Sequence, residues 1–482
     1  MLDLRPVGYV IGLLVAVLGL TMLGPLVADL AAKNGHWPVF LESAVLTILT
    51  GGAMAISSSN GVKEGLTIRQ TFLLTSAVWI VLPSFGALPF ILGETNSSLT
   101  DAFFEAMSGL TTTGSTVLTG IDALPEGIKL WRGILQWIGG IGIIVVAMVF
   151  LPELKVGGMQ VFRSEGFDTM GKILPRAAEI SSSISVIYVS LTVACLLAYL
   201  AAGMAPFDAA IHAMTTVATG GFANSDASFG AYGAGAHYVA SVFMFLAALP
   251  FVRYVQLLGG NAKPLWRDKQ VHGFMAALAV CILLVTVLLM RQVHGVSELA
   301  FREALFNVIS IMSGTGYASA DYMQWGPFAV TLFFFMGLIG GCAGSTACSI
   351  KIFRYQILFA SIGAQIKRIH SPHGMFSPRY QGRAVGEDVI NSVMAFFVAF
   401  LLSIGLTAVL LSLTGLDLIT SISGAAAALA NIGPGLGAEI GPAGNYSGLS
   451  DAAKWILSVA MFVGRLEMMV VMVIVTFAFW RD

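Results

Sequence analysis

The chain of 482 residues is 57% hydrophobic and only 11% charged, against about 25% charge in a typical soluble domain. That composition excludes a soluble globular protein and describes a polytopic membrane protein. The formal net charge of −1 comes with no long basic or acidic run, so no nucleic-acid-binding tail is indicated.

In chain order, residues 7–30 and 39–56 are apolar runs long enough to cross a bilayer. The first is longer than the apolar core of a cleaved signal peptide. Together they read as an N-terminal transmembrane hairpin over residues 1–66. Four units follow, with boundaries expected at 67–160, 161–262, 263–375 and 376–482. Each has an outer span (near 71–92, 184–200, 272–290 and 389–413) and a short amphipathic helix. Next come a glycine-bearing stretch and a returning span (131–151, 238–258, a long segment from 326, and 452–480). Asp101, Asp208, Glu303 and Asp417 open the short helices, which suits the positive end of the helix dipole, and they read as caps.

The glycine stretches are LTTTGST at 110–116, VATGGFA at 217–223, SGTGYAS at 313–319 and ANIGPGL at 430–436. Superposing Gly114, Gly220, Gly316 and Gly433 gives spacings of 106, 96 and 117 residues. This period is too long for a solenoid and suits two membrane crossings with a re-entrant segment between them. Four extended loops aiming carbonyl oxygens at one axis can replace the hydration shell of an ion such as K⁺. Glycine serves where backbones crowd that axis or need positive φ. The candidate ion-binding residues are Thr112, Thr113 and Gly114; Ala218, Thr219 and Gly220; Gly314, Thr315 and Gly316; Asn431, Ile432 and Gly433. The expected fold is all-α: four pseudo-repeats of helix, pore helix, filter loop and helix around one central pore, plus the N-terminal hairpin.

With a cytoplasmic N-terminus, eighteen of the 25 Lys and Arg residues fall inside and six outside, with Arg465 within a span. By the positive-inside rule this orients the chain, and all four loops open outward.

The third unit departs from the pattern. Residues 326–367 are 42 in number, about twice one crossing, and the middle reads GGCAGSTACS: Gly340, Gly341, Cys342, Ala343, Gly344, Ser345, Thr346, Ala347, Cys348 and Ser349. Irregular backbone at membrane depth is tolerated when buried in protein or lining a water-filled path. A loop across the pore below the filter, acting as a gate, is expected; close helix packing through small residues is the plainer alternative. Arg465, alone in the last span, is expected to face a cavity or a partner. Glu467, two residues on, projects to another helix face.

Other signals are weak. The four cysteines, Cys195, Cys281, Cys342 and Cys348, have no CxxC spacing and read as reduced small hydrophobes. GFDTMGK at 166–172 lacks the Ser or Thr and the preceding strand of a phosphate-binding loop. His370 and His373 have no further metal ligands nearby, His212 reads as packed or hydrogen-bonded, and Asn96 and Asn445 begin acceptor-type glycosylation sequences.

The four glycine-centred loops, NIGPGLG at 431–437, GGCAGST at 340–346 and the lone arginine of the last span together resemble the TrkH/KtrB/HKT superfamily of potassium transporters over essentially the whole chain. The N-terminal hairpin resembles the TrkH branch. The resemblance implies K⁺ uptake across a bacterial inner membrane through one pore per chain and a homodimer. It implies a gate formed by residues 340–349 with Arg465, and a cytoplasmic TrkA-type regulatory ring. It also implies no cofactor in this chain: K⁺ is the transported ion, and nucleotide belongs to the separate regulatory subunit. Ala347, Cys348 and Ser349 stand where the family is glycine-rich. A coupled carrier (symport with H⁺ or Na⁺) would call for inverted repeats and discontinuous helices in corresponding halves, whereas the pattern shows four repeats of one orientation with only the third broken. A less selective Na⁺/K⁺ pathway stays open because the residues before the aligned glycines, Thr113, Thr219, Thr315 and Ile432, are unequal. An intramembrane enzyme would need convergent catalytic groups that the spans do not supply.

Overall fold

The computed structural model describes residues 3–61, 66–95, 97–145, 177–291, 297–466 and 468–481. The architecture is helical; among the described residues the strands are two-residue pairs, Ile339–Gly340 with Ile350–Lys351 and Arg379–Tyr380 with Arg383–Ala384. Among the described residues six helices are long and apolar enough to cross a membrane, and a bent pair adds a seventh. Leu197, Leu283, Leu402 and Leu406 are about 60% exposed on these spans. Such a surface is stable only against lipid, and the chain is a multi-pass membrane protein.

The N-terminal hairpin pairs Arg5–Thr21 with Trp37–Ser58 through small residues. A Cβ on Gly12 would lie 2.5 Å from the Ala55 nitrogen and one on Gly51 2.5 Å from the Ala16 nitrogen, so the two backbones touch. The second segment of its first arm, Leu23–Ala32, carries Asp29. The buried Asp29 carboxylate accepts from Gly127 N (2.6 Å), in the first turn of the first inner helix, and from Asn34 Nδ2 (2.7 Å), and meets His36 Nδ1 at 3.0 Å. A carboxylate at a helix N-terminus satisfies otherwise orphaned N–H groups, and here it staples the hairpin to the first repeat.

The outer helices are Ile68–Gly86 continued by Leu88–Leu92, then Ala177–Ala201, Lys269–Leu289 and Glu387–Ser412. The short helices are Leu99–Leu110, Pro206–Val217, Glu298–Ser313 and Leu418–Ala430. Of the four acids expected as caps, only Asp417 is one; the hydroxyl of Thr420 and the first-turn N–H groups hold its carboxyl below the usual range. Ser98 and Ser297 cap the first and third helices. Asp101 and Asp208 sit one turn in, bonded to Lys454 and Asn224, and Glu303 lies within its helix.

The inner helices differ most from expectation. The first, Glu126–Val145, is continuous as far as it is described; residues 146–151 of that expected span, the 166–172 stretch, Asn96 and Glu467 lie outside the described residues. The second is not one span: Ala234–Ala247 and Phe251–Leu258 meet at 89° across Pro250, which cannot continue a helical hydrogen-bond ladder. The third runs Pro327–Gly337, then irregular chain, then Ile352–His370. The fourth stops at Arg465 and resumes as Met469–Val475. Among the described residues three of the four inner helices are interrupted, so the expectation of a single broken helix is corrected.

Candidate functional site

Each short helix ends in a residue with positive φ: Thr112 (52°), Thr219 (49°), Gly314 (78°) and Asn431 (50°). The following N–H turns back to a carbonyl five residues earlier, Thr113 to Ser108, Gly220 to Thr215, Thr315 to Ser310 and Ile432 to Ala427, at 2.8–2.9 Å. This shared turn sets the register of the four loops and corrects one alignment. Gly221, not Gly220, is the counterpart of Gly114, Gly316 and Gly433, and Ala218 is the last turn of its helix, equivalent to Thr111. A Gly-Gly pair carries no information about which glycine is which; the backbone supplies it.

The loops stand side by side in chain order and close a ring. A Cβ on Gly114 would lie 2.2 Å from the Gly220 oxygen, and one on Gly221 2.0 Å from the Thr315 oxygen. One on Gly316 would lie 2.8 Å from Gly433 N, and one on Gly433 3.0 Å from the Gly114 carbonyl. With φ of 84°, 85° and 82° at Gly114, Gly221 and Gly316, no side chain is accommodated at these points. All four glycines line one face of an open cavity of about 230 Å³, together with Ser115, Asp226 and Tyr446. The threonine hydroxyls are used behind the ring. Thr113 Oγ1 meets Thr111 Oγ1 at 2.8 Å and accepts from Asn431 Nδ2 at 3.0 Å, while Thr315 Oγ1 meets Ser313 Oγ at 2.7 Å.

A polar layer on the first inner helix braces the second loop. Gln136 donates to the Gly220 oxygen (2.5 Å) and accepts from Phe222 N (3.1 Å). A Cβ on Gly220 would lie 2.3 Å from this side chain, which explains glycine where the other loops carry Thr113, Thr315 and Ile432. One turn earlier, Arg132 pairs with Glu105 at 2.8 Å, both buried. The carboxylate also accepts from Thr116 Oγ1 and Val117 N. The guanidinium donates to the Ala223 oxygen (2.8 Å) and lies 4.1 Å from the centre of the Phe222 ring. A buried ion pair is sustained when its remaining hydrogen-bonding capacity is filled in this way.

Under the ring lies the irregular chain of the third inner helix. Ile339–Gly340 and Ile350–Lys351 pair in parallel and close its neck. A Cβ on Gly340 would fall 2.0 Å from the Cys348 oxygen, and Gly341 packs on Ala347. The loop completes the groups freed by the break at Pro250. Cys342 N donates to the Ala248 oxygen (2.9 Å), Thr346 N and Oγ1 donate to the Ala247 oxygen (3.3 and 3.0 Å), and Phe251 N donates to the Gly344 oxygen (2.9 Å). Ala343 N donates to Gln270 Oε1, and Ser345 Oγ to the Cys342 oxygen. On its upper side Ser349 N donates to the Ala430 oxygen (2.9 Å), at the end of the fourth short helix, and Cys348 Sγ lies 3.7 Å from Thr112 Oγ1. Arg465 is buried against the loop: Nη1 donates to Cys348 Sγ at 2.7 Å and Nη2 to the Gly139 oxygen at 3.2 Å, while Nε has no acceptor among the described residues. A cavity of about 40 Å³ at this level is lined by Ser345, Cys348, Ser349, Asn431 and three cationic side chains, Lys351, Arg354 and Arg465.

The family model of the TrkH cation transport proteins matches residues 36–480. The chain belongs to the TrkH family. It is similar to the Trk system potassium uptake protein TrkI of Halomonas elongata, at 43% identity over 99% of this chain and 97% of the other. It is also similar to the Trk system potassium uptake protein TrkH of Escherichia coli K12, at 36% over 99% of both. The crystal structure of the potassium transporter TrkH from Vibrio parahaemolyticus superposes with a TM-score of 0.91 at 34% identity, covering 100% of both chains. The family is one of membrane transporters, not of enzymes.

Within this TrkH-family chain the structure brings all the glycine-loop residues to one ring and residues 340–349 with Arg465 beneath it. His212 is buried, with Nδ1 2.8 Å from the Asp208 oxygen and Nε2 facing Asn224 N. Among the described residues no cluster of three or more His, Cys, Asp or Glu side chains is placed to hold a metal ion. Gln136, Glu105, Arg132 and Tyr446 escaped the sequence reading. A signal was present: Arg132 and Gln136 are polar residues four apart on one face of an apolar helix.

Proposed function

We propose that this chain takes up K⁺ across a bacterial inner membrane through a channel-like pore. The ring of loops at residues 112–114, 219–221, 314–316 and 431–433 is its selectivity filter, and residues 340–349 with Arg465 are its gate. The observation that carries this reading is the closed ring of four backbones approaching within contact distance at Gly114, Gly221, Gly316 and Gly433. Carbonyl oxygens in such a ring replace the hydration shell of a monovalent cation. Arg465, Lys351 and Arg354 beneath it raise the local potential and oppose cation occupancy while the loop is in place. The names of the relatives support K⁺ as the cargo. No cofactor is assigned to this chain.

The five segments read from the sequence remain our division of the chain: the hairpin 1–66 and four pore repeats. The N-terminus is cytoplasmic on the bias of Lys and Arg. Lys367 and Arg368, in the last turn of Ile352–His370, then lie on the cytoplasmic side. They support docking of a TrkA-type regulatory ring that carries the nucleotide, and the protein works as a homodimer.

The interrupted inner helices favour a second reading, a carrier coupling K⁺ to H⁺ or Na⁺, because discontinuous helices build many carrier sites. The pore is preferred because the four repeats share one orientation and the groups freed at Ala247 and Ala248 are taken up by the loop. Reconstitution of the purified protein in liposomes separates the two. A pore gives radioactive Rb⁺ uptake that follows the K⁺ gradient and membrane potential with no pH or Na⁺ gradient. Uptake that requires either gradient establishes the carrier, and equal Na⁺ and K⁺ flux overturns K⁺ selectivity.

A further inference from the structure

The ring is not four-fold at its outermost glycines, and the departure is confined to the fourth loop. Gly114, Gly221 and Gly316 share a φ of 82–85°, whereas Gly433 lies outside the positive-φ region. The sequence supplies the reason. Gly433 precedes Pro434, and the proline ring pushes the residue before it toward extended backbone; the other three glycines precede Ser115, Phe222 and Tyr317.

The consequence falls on the carbonyl. The Gly433 oxygen accepts from Ser115 Oγ at 2.8 Å and from Tyr446 Oη at 2.9 Å. A carbonyl oxygen has two lone pairs, and two hydroxyl donors occupy both. The carbonyls of Gly114, Gly221 and Gly316 accept no hydrogen bond among the described residues. Tyr446 is positioned independently of its hydroxyl: its N–H donates to the Thr116 oxygen at 2.9 Å, its ring packs on Phe104 with centroids 5.5 Å apart, and it is 3% exposed. It straps the first loop to the fourth and holds its hydroxyl on Gly433.

We propose that the outermost ion level of the ring is three-sided, and that Ser115 and Tyr446 are specificity-determining residues because they keep the Gly433 carbonyl from the ion. This rests on the reading of the ring as a K⁺ filter. At this level K⁺ receives three protein oxygens and completes its shell with water. The number of coordinating carbonyl dipoles is one of the quantities by which a filter distinguishes K⁺ from Na⁺. A three-oxygen level favours the larger ion less than a four-oxygen one. Selectivity is therefore set below it, and freeing the fourth carbonyl raises it.

The test uses the full-length protein in liposomes with Ser115→Ala, Tyr446→Phe and the double variant, and reads radioactive Rb⁺ uptake against radioactive Na⁺ uptake under matched gradients. The double variant is expected to raise the Rb⁺-to-Na⁺ ratio at least about threefold, with each single variant, which retains one hydroxyl, giving a smaller rise. A smaller change in the double variant, or a fall, overturns the proposal. A merely structural role would lower both fluxes together and leave the ratio in place, which counts against it equally. If the double variant does not insert, Tyr446→Phe alone decides: its ring and backbone contacts persist, and an unchanged ratio overturns the proposal. Wild-type vesicles with no gradient-driven Rb⁺ uptake would instead overturn the pore reading on which this one stands.

Discussion

Gly220 and Gly221 are adjacent glycines whose side-chain space is closed by different things, and this difference can be measured. An alanine at Gly221 would place its Cβ 2.0 Å from the Thr315 main-chain oxygen at a φ of 85°. Left-handed backbone costs a non-glycine residue about 1–2 kcal/mol, and main chain of the third loop has to move by roughly 1.5 Å to restore ordinary contact. An alanine at Gly220 has no such φ and meets the Gln136 side chain at 2.3 Å instead. Gly221→Ala should therefore lower Rb⁺ flux in liposomes by about tenfold or more, since each 1.4 kcal/mol is a factor of ten, and by the same factor in a Gln136→Ala background. Gly220→Ala should be comparably damaging in the wild type and much milder once Gln136 is alanine, because the colliding group is gone. Such a cycle isolates the pairwise term. If Gly220→Ala costs the same in both backgrounds, or Gln136→Ala relieves Gly221→Ala, the register of the second loop is wrong.

Arg132→Ala leaves the Glu105 carboxylate buried and unpaired, and should cost about 3–5 kcal/mol, read as a fall in the melting temperature of the detergent-solubilised protein; the double alanine variant should cost less than the sum of the singles. Arg465→Gln removes the charge that meets Cys348 Sγ and should raise Rb⁺ flux by about tenfold, the equivalent of a Coulomb term of about 1.4 kcal/mol at an effective dielectric constant near 20; unchanged or lower flux would assign Arg465 to packing alone. Asp29→Ala removes the acceptor of Gly127 N and Asn34 Nδ2 and should destabilise the hairpin's attachment by about 2–3 kcal/mol. Faster proteolysis between the hairpin and the first repeat checks it.

The amino-acid sequence by itself determined the membrane class, the count of four repeats, the extra hairpin and the location of the irregular segment at 340–349. These follow from the length of apolar runs and from glycine and small residues that stand out against them, and both are local properties. The tertiary structure decided what those segments touch. The choice of Gly221 over Gly220 depended on a turn shared by four loops a hundred residues apart. The break at Pro250 was present in the sequence as a single proline, but its meaning lay in the loop residues that take up Ala247 and Ala248. Gln136, Glu105 and Arg132 read as stray polar residues until the fold placed them behind the ring, because a buried polar group is recognised by its partners. Even Pro434, which sets the conformation of Gly433 from the next position in the chain, acquired its consequence only when Ser115 and Tyr446 arrived from elsewhere to occupy the carbonyl it had turned. Local backbone preference is written residue by residue, whereas hydrogen-bond satisfaction at a closed ring is a property of all four repeats at once.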